Sequence, residues 1–198
     1  MLVAGLVLAG CGAGSSTSSD ADITLLLGHA PSAADAGIFL AVERGFDEAQ
    51  GVRVEIRRSG NPVALMKSAR VQAALMDSSQ ARAAGAICVM AMRQQPAPGP
   101  FLCVQQTALE DNPGTIESLV SAIQRGYGEA DADPESAVQA ILARAPGLDY
   151  QATLAELNTI SPTFDAGAPF FGWLDRRKIP AADQSLFDFS IAKNFGRD

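Results

Sequence analysis

The sequence predicts an α/β fold, a sheet flanked by helices with its loops gathered at one edge, followed by a helical carboxyl-terminal part. Three observations carry this. Short apolar or alternating runs recur along the first half of the chain, each one strand long. Most are followed by a loop rich in Gly, Pro, Ser or Asn that leads into a helical pattern, an alternation that implies parallel strands. From Asn112-Pro113 onward, apolar residues return at helical spacing instead.

Ile23-Thr-Leu-Leu-Leu27 fits a buried strand, and residues 28–34 form the loop behind it. Ala36, Ile38, Phe39, Leu40, Val42 and Phe46 then mark the apolar side of a helix closed by Arg44-Gly45. Val52-Arg-Val-Glu-Ile56 alternates as a half-buried strand does. Ser59-Gly-Asn-Pro62 turns the chain into a second helix, with Asn61 placed to cap and Pro62 at the first helical position. Residues 71–76 form a third strand, Asp77-Ser-Ser opens a short helix, and residues 86–92 are a fourth apolar strand. Gln95-Pro-Ala-Pro-Gly-Pro100 is a cluster of breakers with the look of a linker. Phe101-Leu-Cys-Val104 is one more strand. Ile116, Leu119, Val120, Ile123 and Tyr127 form the stripe of a long helix, Asp133-Pro-Glu starts a second, and Asp149 opens a third. Residues 164–198 hold aromatics and turns without a clear period.

The 198 residues carry 15 Lys+Arg against 22 Asp+Glu, a net charge of −7. Nucleic acid is disfavoured as a partner, because phosphate binding needs clustered cations. Hydrophobic residues make up 47% and charged residues 19% of the chain, enough apolar surface for a core. The length suits one domain, or one and a fraction, and falls short of two complete lobes of about 100–150 residues each.

The first residues, Met1-Leu-Val-Ala-Gly-Leu-Val-Leu-Ala-Gly-Cys11, are apolar and too few to span a bilayer as a helix. Leu8-Ala9-Gly10-Cys11 resembles the lipobox of bacterial lipoproteins, which makes Cys11 a candidate lipidation site, although no Lys or Arg stands ahead of it. Residues 12–21 have the small polar composition of a tether. Cys88 and Cys103 lie in apolar strand-like runs and are expected as buried free thiols, with a disulfide between neighbouring strands as the competing reading. Neither they nor the single His have metal-site spacing.

Three stretches together resemble one family, the substrate-binding lipoproteins of ABC importers that carry thiamine-pyrimidine precursors, nitrate, sulfonates and taurine. The first is Leu27-Gly-His-Ala-Pro-Ser-Ala-Ala-Asp-Ala-Gly-Ile-Phe-Leu-Ala-Val-Glu-Arg-Gly-Phe46 with Gly51-Val-Arg-Val-Glu-Ile56. The second is Ala69-Arg-Val-Gln-Ala-Ala-Leu-Met-Asp77. The third runs through Phe101-Leu-Cys-Val, Leu109-Glu-Asp-Asn-Pro113, Ser121-Ala-Ile-Gln-Arg-Gly-Tyr127, Asp133-Pro-Glu-Ser-Ala137 and Pro146-Gly-Leu-Asp149. The resemblance implies a periplasmic-binding-protein lobe of type 2 with a mixed or parallel sheet. It divides the chain into a signal (1–11), a tether (12–21), an α/β lobe (22–106) and a helical part packing on that lobe (107–198). Such proteins place most of a second lobe, with both hinge crossings, between Met92 and Phe101. Here only Arg93-Gln-Gln-Pro-Ala-Pro-Gly-Pro100 stands there, so the second lobe is read as truncated.

The function so implied is non-enzymatic capture of a small nutrient, without a cofactor or metal, and its delivery to an ABC permease and ATPase. The protein would sit in the cell envelope, lipid-anchored to the outer face of the cytoplasmic membrane or periplasmic. One alternative is a degenerate one-lobe, lipid-anchored interaction protein that no longer captures ligand. Another is a pyrimidine-synthase-like enzyme, which the sequence disfavours: Ala73 stands where the pyridoxal-binding Lys would be and Asp77 where the His would be.

Candidate ligand residues sit in three loops at strand ends, where helix N-termini favour anionic or hydrogen-bonding groups. His29 stands where the family often has a ring-stacking aromatic residue. Ser32 belongs to the same loop, and Asp35 could accept from a ligand amine or cap the next helix. Asn61 is read as a cap first and a contact second, whereas Asp77 and Ser78 offer an acceptor and a hydroxyl with capping as the rival role. Trp173, Phe170 and Phe171 could line a pocket mouth or pack as a lid.

Overall fold

The computed structural model describes residues 21–193; the predicted signal, Cys11 and residues 12–20 of the predicted tether lie outside them. Five strands, β1 (Ala21–Leu27), β2 (Val52–Arg58), β3 (Ala73–Met76), β4 (Ala86–Ala91) and β5 (Phe101–Gln105), make one sheet in the order β2-β1-β3-β5-β4. The helices are α1 (Ala36–Glu43), α2 (Phe46–Ala49), α3 (Pro62–Lys67), α4 (Ser78–Ala84), α5 (Gln106–Asp111), α6 (Pro113–Ala132), α7 (Pro134–Arg144) and α8 (Tyr150–Ile160).

The sheet is mixed. β1 pairs in parallel with β2 and β3, whereas β5 runs antiparallel to both β3 and β4, so β1 to β4 all point one way. The segment 92–100 explains the reversal: a parallel return needs a crossover of about a dozen residues or more, and this loop is too short for one. What reads as a linker in sequence is therefore the tight connection between two neighbouring strands.

Several boundaries differ from the sequence reading, two of them for a clear reason. β1 starts at Ala21, because its backbone pairs with β2 from Ala21↔Val52 onward, past the apolar run. The helix expected over 36–46 stops at Glu43, where Gly45 takes a left-handed φ of 66°, and Phe46 begins α2.

Strand alternation sorts the apolar residues onto two faces. Ile23, Leu25, Leu27, Val52, Val54, Leu75, Leu102 and Val104 meet α1, α6, α7 and α8 through Ile38, Leu119, Ile123, Tyr127, Val138, Ile141 and Leu157. On the other face Leu26, Met76, Cys88, Phe101 and Cys103 meet α3, α4 and the tail through Met66, Ala81, Leu174, Ile179 and Phe187. The tail also closes the edge of β4, where Asp188 N–H donates to the Cys88 carbonyl at 3.0 Å and Ala91 N–H to that of Gly172 at 3.1 Å. Covering an edge in this way removes a template for pairing with other chains.

One expectation is overturned. Cys88 and Cys103 are joined by a disulfide, not buried as free thiols. The antiparallel register places them directly opposite one another on β4 and β5, so both side chains leave the same face at the same point. Two isolated apolar runs do not disclose that register; it follows from the short loop 92–100.

Candidate functional site

The carboxyl ends of β1, β3 and β4 gather at one edge of the sheet, the place where ligands bind in open α/β folds. A cavity of about 280 Å³ opens there, lined by His29, Ala34, Asp35, Leu75, Met92, Arg93, Pro100, Ile160 and Phe164. Leu75, Met92 and Phe164 are buried and make its walls apolar. Arg93 follows β4 directly and is exposed, and among the described residues it has no ion-pair partner.

Asp35 organises the polar side. It is 1% exposed, and its carboxylate accepts from Ser32 N–H at 2.9 Å and from the Ser32 hydroxyl at 3.2 Å. His29 Nε2 stands 3.0 and 3.1 Å from the two carboxylate oxygens. A carboxylate can only accept there, so Nε2 carries the hydrogen and the ring is held by one nitrogen. Hydrogen bonding to Asp35 raises the His29 pKa from its ordinary value, with the carboxylate's charge adding to the shift and partial burial opposing it. Behind the pair, Tyr127 O–H donates to the Ala34 carbonyl at 2.5 Å and its ring stacks on Phe171 at 3.9 Å. Burial, with the nearby Asp35 charge, keeps that phenol un-ionised by raising its pKa well above the ordinary value.

The structure thus brings His29, Ser32 and Asp35 together at the cavity, and the cap reading of Asp35 is not what it shows. Its side chain makes no cap bond to α1; it ties the loop to itself and orients His29. Asn61, Asp77 and Ser78 do not line the cavity. The Asn61 side chain accepts from Ala64 N–H at 3.1 Å and caps α3. Asp77 accepts from Gln80 N–H at 2.8 Å and from the Ser79 hydroxyl at 2.6 Å, while Gln80 returns a bond to Asp77 N–H, a reciprocal cap on α4. Ser78 is the first residue of α4, half-buried. Trp173 is half-buried, and its carbonyl accepts from the side chain of the buried Gln94 at 2.7 Å.

Sequence reasoning missed Arg93, Met92, Pro100, Ile160 and Phe164. The strand-end rule, applied to the fourth strand as it was to the first three, points at Met92 and Arg93; nothing local marks Ile160 or Phe164. A larger, more open groove of about 720 Å³ lies against Ile87 and Gln106, at the opposite edge of the sheet. Its Arg176 is already engaged, 4.0 Å over the Phe189 ring.

No metal-ligand cluster of His, Cys, Asp or Glu exists among the described residues, and no helix among them is long and apolar enough to cross a membrane. No family model and no curated protein matches the sequence. Among solved structures the chain is similar to a conserved Candida albicans gene product, described as defining a new family of proteins with the generic periplasmic binding protein structural fold. The two are 10% identical, with a TM-score of 0.58 over 83% of this chain and 88% of that one. At that identity the likeness speaks to architecture, and the architecture of this chain is a mixed α/β fold of the periplasmic-binding-protein kind.

Proposed function

We propose that the chain is a non-catalytic binding protein that takes a small molecule into the cavity beside His29 and Arg93, as the substrate-binding component of an ABC importer. One observation carries the reading: a buried carboxylate spends all its hydrogen bonds on its own loop and on orienting His29, at the strand edge where this fold binds ligands. Apolar walls and the Arg93 cation suit a small heteroaromatic or anionic nutrient, such as a thiamine-pyrimidine precursor or a nitrate- or sulfonate-like anion. Capture, delivery to the permease and release would involve no covalent step. The Cys88–Cys103 disulfide supports residence in an oxidising compartment, and a lipid on Cys11 would keep the protein at the outer face of the membrane.

Thermal-shift and calorimetric titration of the protein against a panel of such nutrients tests the binding claim, with a rise in Tm and its loss in His29→Ala as the expected result. A specific observation favours a second reading. Because 92–100 joins β4 directly to β5, no lobe is inserted there to close over the cavity, and a panel without any thermal shift would point to a lipid-tethered interaction protein. For the anchor, Cys11→Ser should move the protein from the membrane fraction to the soluble one; a variant that stays with membranes counts against lipidation.

A further inference from the structure

A second concave surface lies at the same sheet edge, beyond β1. It is a groove of about 480 Å³ lined by Leu27, Pro31, Phe39, Ile56, Arg57, Arg58, Arg144 and Ala145. The register of β1 with β2 sets Arg57 and Arg58 beside Leu26 and Leu27 at the strand ends. Arg144 comes from the last turn of α7, so residues far apart in sequence are brought to one groove by the fold. Arg57 is held by Glu55 through two bonds of 2.7 and 2.6 Å. Arg58 and Arg144 are exposed and have no acidic partner among the described residues. Three guanidinium groups and one carboxylate leave about two net positive charges in the groove, on a chain whose total is −7.

A favourable interaction with the negative end of the α7 dipole accounts for Arg144 alone. It does not account for two further arginines at the same place, where like charges repel unless a counter-anion lies between them. The floor is apolar: Leu27 and Phe39 are buried core residues that contribute to its lining, with Pro31 and Ile56 beside them. Planar guanidinium forks match the oxygens of a phosphate group, and an apolar floor favours a body with little polarity.

We propose that this groove binds a phosphate monoester carried on an apolar body, with Arg58 and Arg144 taking the phosphate and Leu27, Pro31, Phe39 and Ile56 taking the body. The site is separate from the His29 cavity and does not depend on the reading given to it. Two sources share this chemistry, a free aryl or alkyl phosphate and the headgroup of phosphatidic acid in a membrane.

The test is calorimetric titration of the full chain with phenyl phosphate and with phenol, alongside co-sedimentation with phosphatidylcholine vesicles with and without phosphatidic acid. Binding of phenyl phosphate but not phenol, weakened by added salt, identifies a free ester. Sedimentation that requires phosphatidic acid identifies the lipid. Either result supports the site provided that Arg58→Gln with Arg144→Gln weakens binding by roughly tenfold or more, while Arg70→Gln leaves it unchanged. All variants should melt within a few degrees of the parent, since the altered side chains are exposed. The proposal is overturned if neither probe binds, if phenol binds as well as its phosphate, or if the double variant binds like the parent.

Discussion

Gly126 of α6 lies directly on the backbone of Gly37 in α1: a β-carbon built on Gly126 would run into the Gly37 carbonyl oxygen and the side chain of Ala41. The contact is reciprocal, since a β-carbon on Gly37 would strike the ring and Cα of Tyr127. Two helices far apart in the sequence therefore touch backbone to backbone, and this close crossing seats Tyr127 behind the Ala34–Asp35 turn.

Gly126→Ala should cost about 3 kcal/mol, because the added methyl meets backbone that cannot rotate away. In a chain of this size that is a fall in Tm of roughly 6–12 °C. Gly128, two residues on, is exposed with open space around its Cα. Gly128→Ala should instead stabilise α6, by about 0.5–1 kcal/mol. Differential scanning calorimetry of the two variants reads both signs; equal effects would show that helix propensity, not the crossing, sets the outcome.

The disulfide makes a second prediction. It closes a loop of sequence separation 15, for which the chain-entropy model gives about 3 kcal/mol of stabilisation. Cys88→Ala with Cys103→Ala should lower the urea midpoint accordingly with little change in slope. Alkylation of the unfolded, unreduced protein should leave both sulfurs unlabelled, and labelling of either would contradict the bond.

Strand periods, breakers and caps made most of the elements legible: Asn61, Asp77, Asp133 and Asp149 all cap the helices that follow them. Local patterns report local structure, so what depends on register or on distant contact stayed hidden. The Cys88–Cys103 pairing needed the direction of β5, which no single strand states. The role of Asp35 needed its burial beside Tyr127, which comes from α6. Arg93 was obscured by the proline cluster after it, whose turn chemistry reads the same in a linker and in a strand connection.

His29 gives a pH prediction. Its pKa is raised above the ordinary 6.5 chiefly by the hydrogen bond to Asp35, so the folded protein holds this proton more tightly than the unfolded chain does. The resulting stabilisation is complete below the unfolded value and is lost as pH rises through the folded one. The stability difference between the parent and His29→Gln should therefore shrink as pH increases through that range, measured by urea unfolding at a series of pH values. An NMR titration of the single imidazole should give a midpoint above that of an unfolded peptide, and a midpoint below it would refute the pairing.

The last prediction separates capping from binding. Asn61 and Asp77 spend their side chains on helix N-termini, so Asn61→Ala and Asp77→Ala should each cost about 1 kcal/mol of stability. Neither lines the His29 cavity, so the affinity for the tightest-binding anionic member of the nutrient panel should hold. Arg93 is the reverse case: it is exposed and unpaired among the described residues, so Arg93→Gln should change stability by no more than about 0.5 kcal/mol. It removes the cavity's one permanent cation, and the affinity for that same anion should fall roughly tenfold, the loss of one charge-assisted bond. Urea unfolding and calorimetric titration on the same three variants decide the matter. If Asp77→Ala abolished binding at unchanged stability, the ligand would lie against α4 and not beside His29.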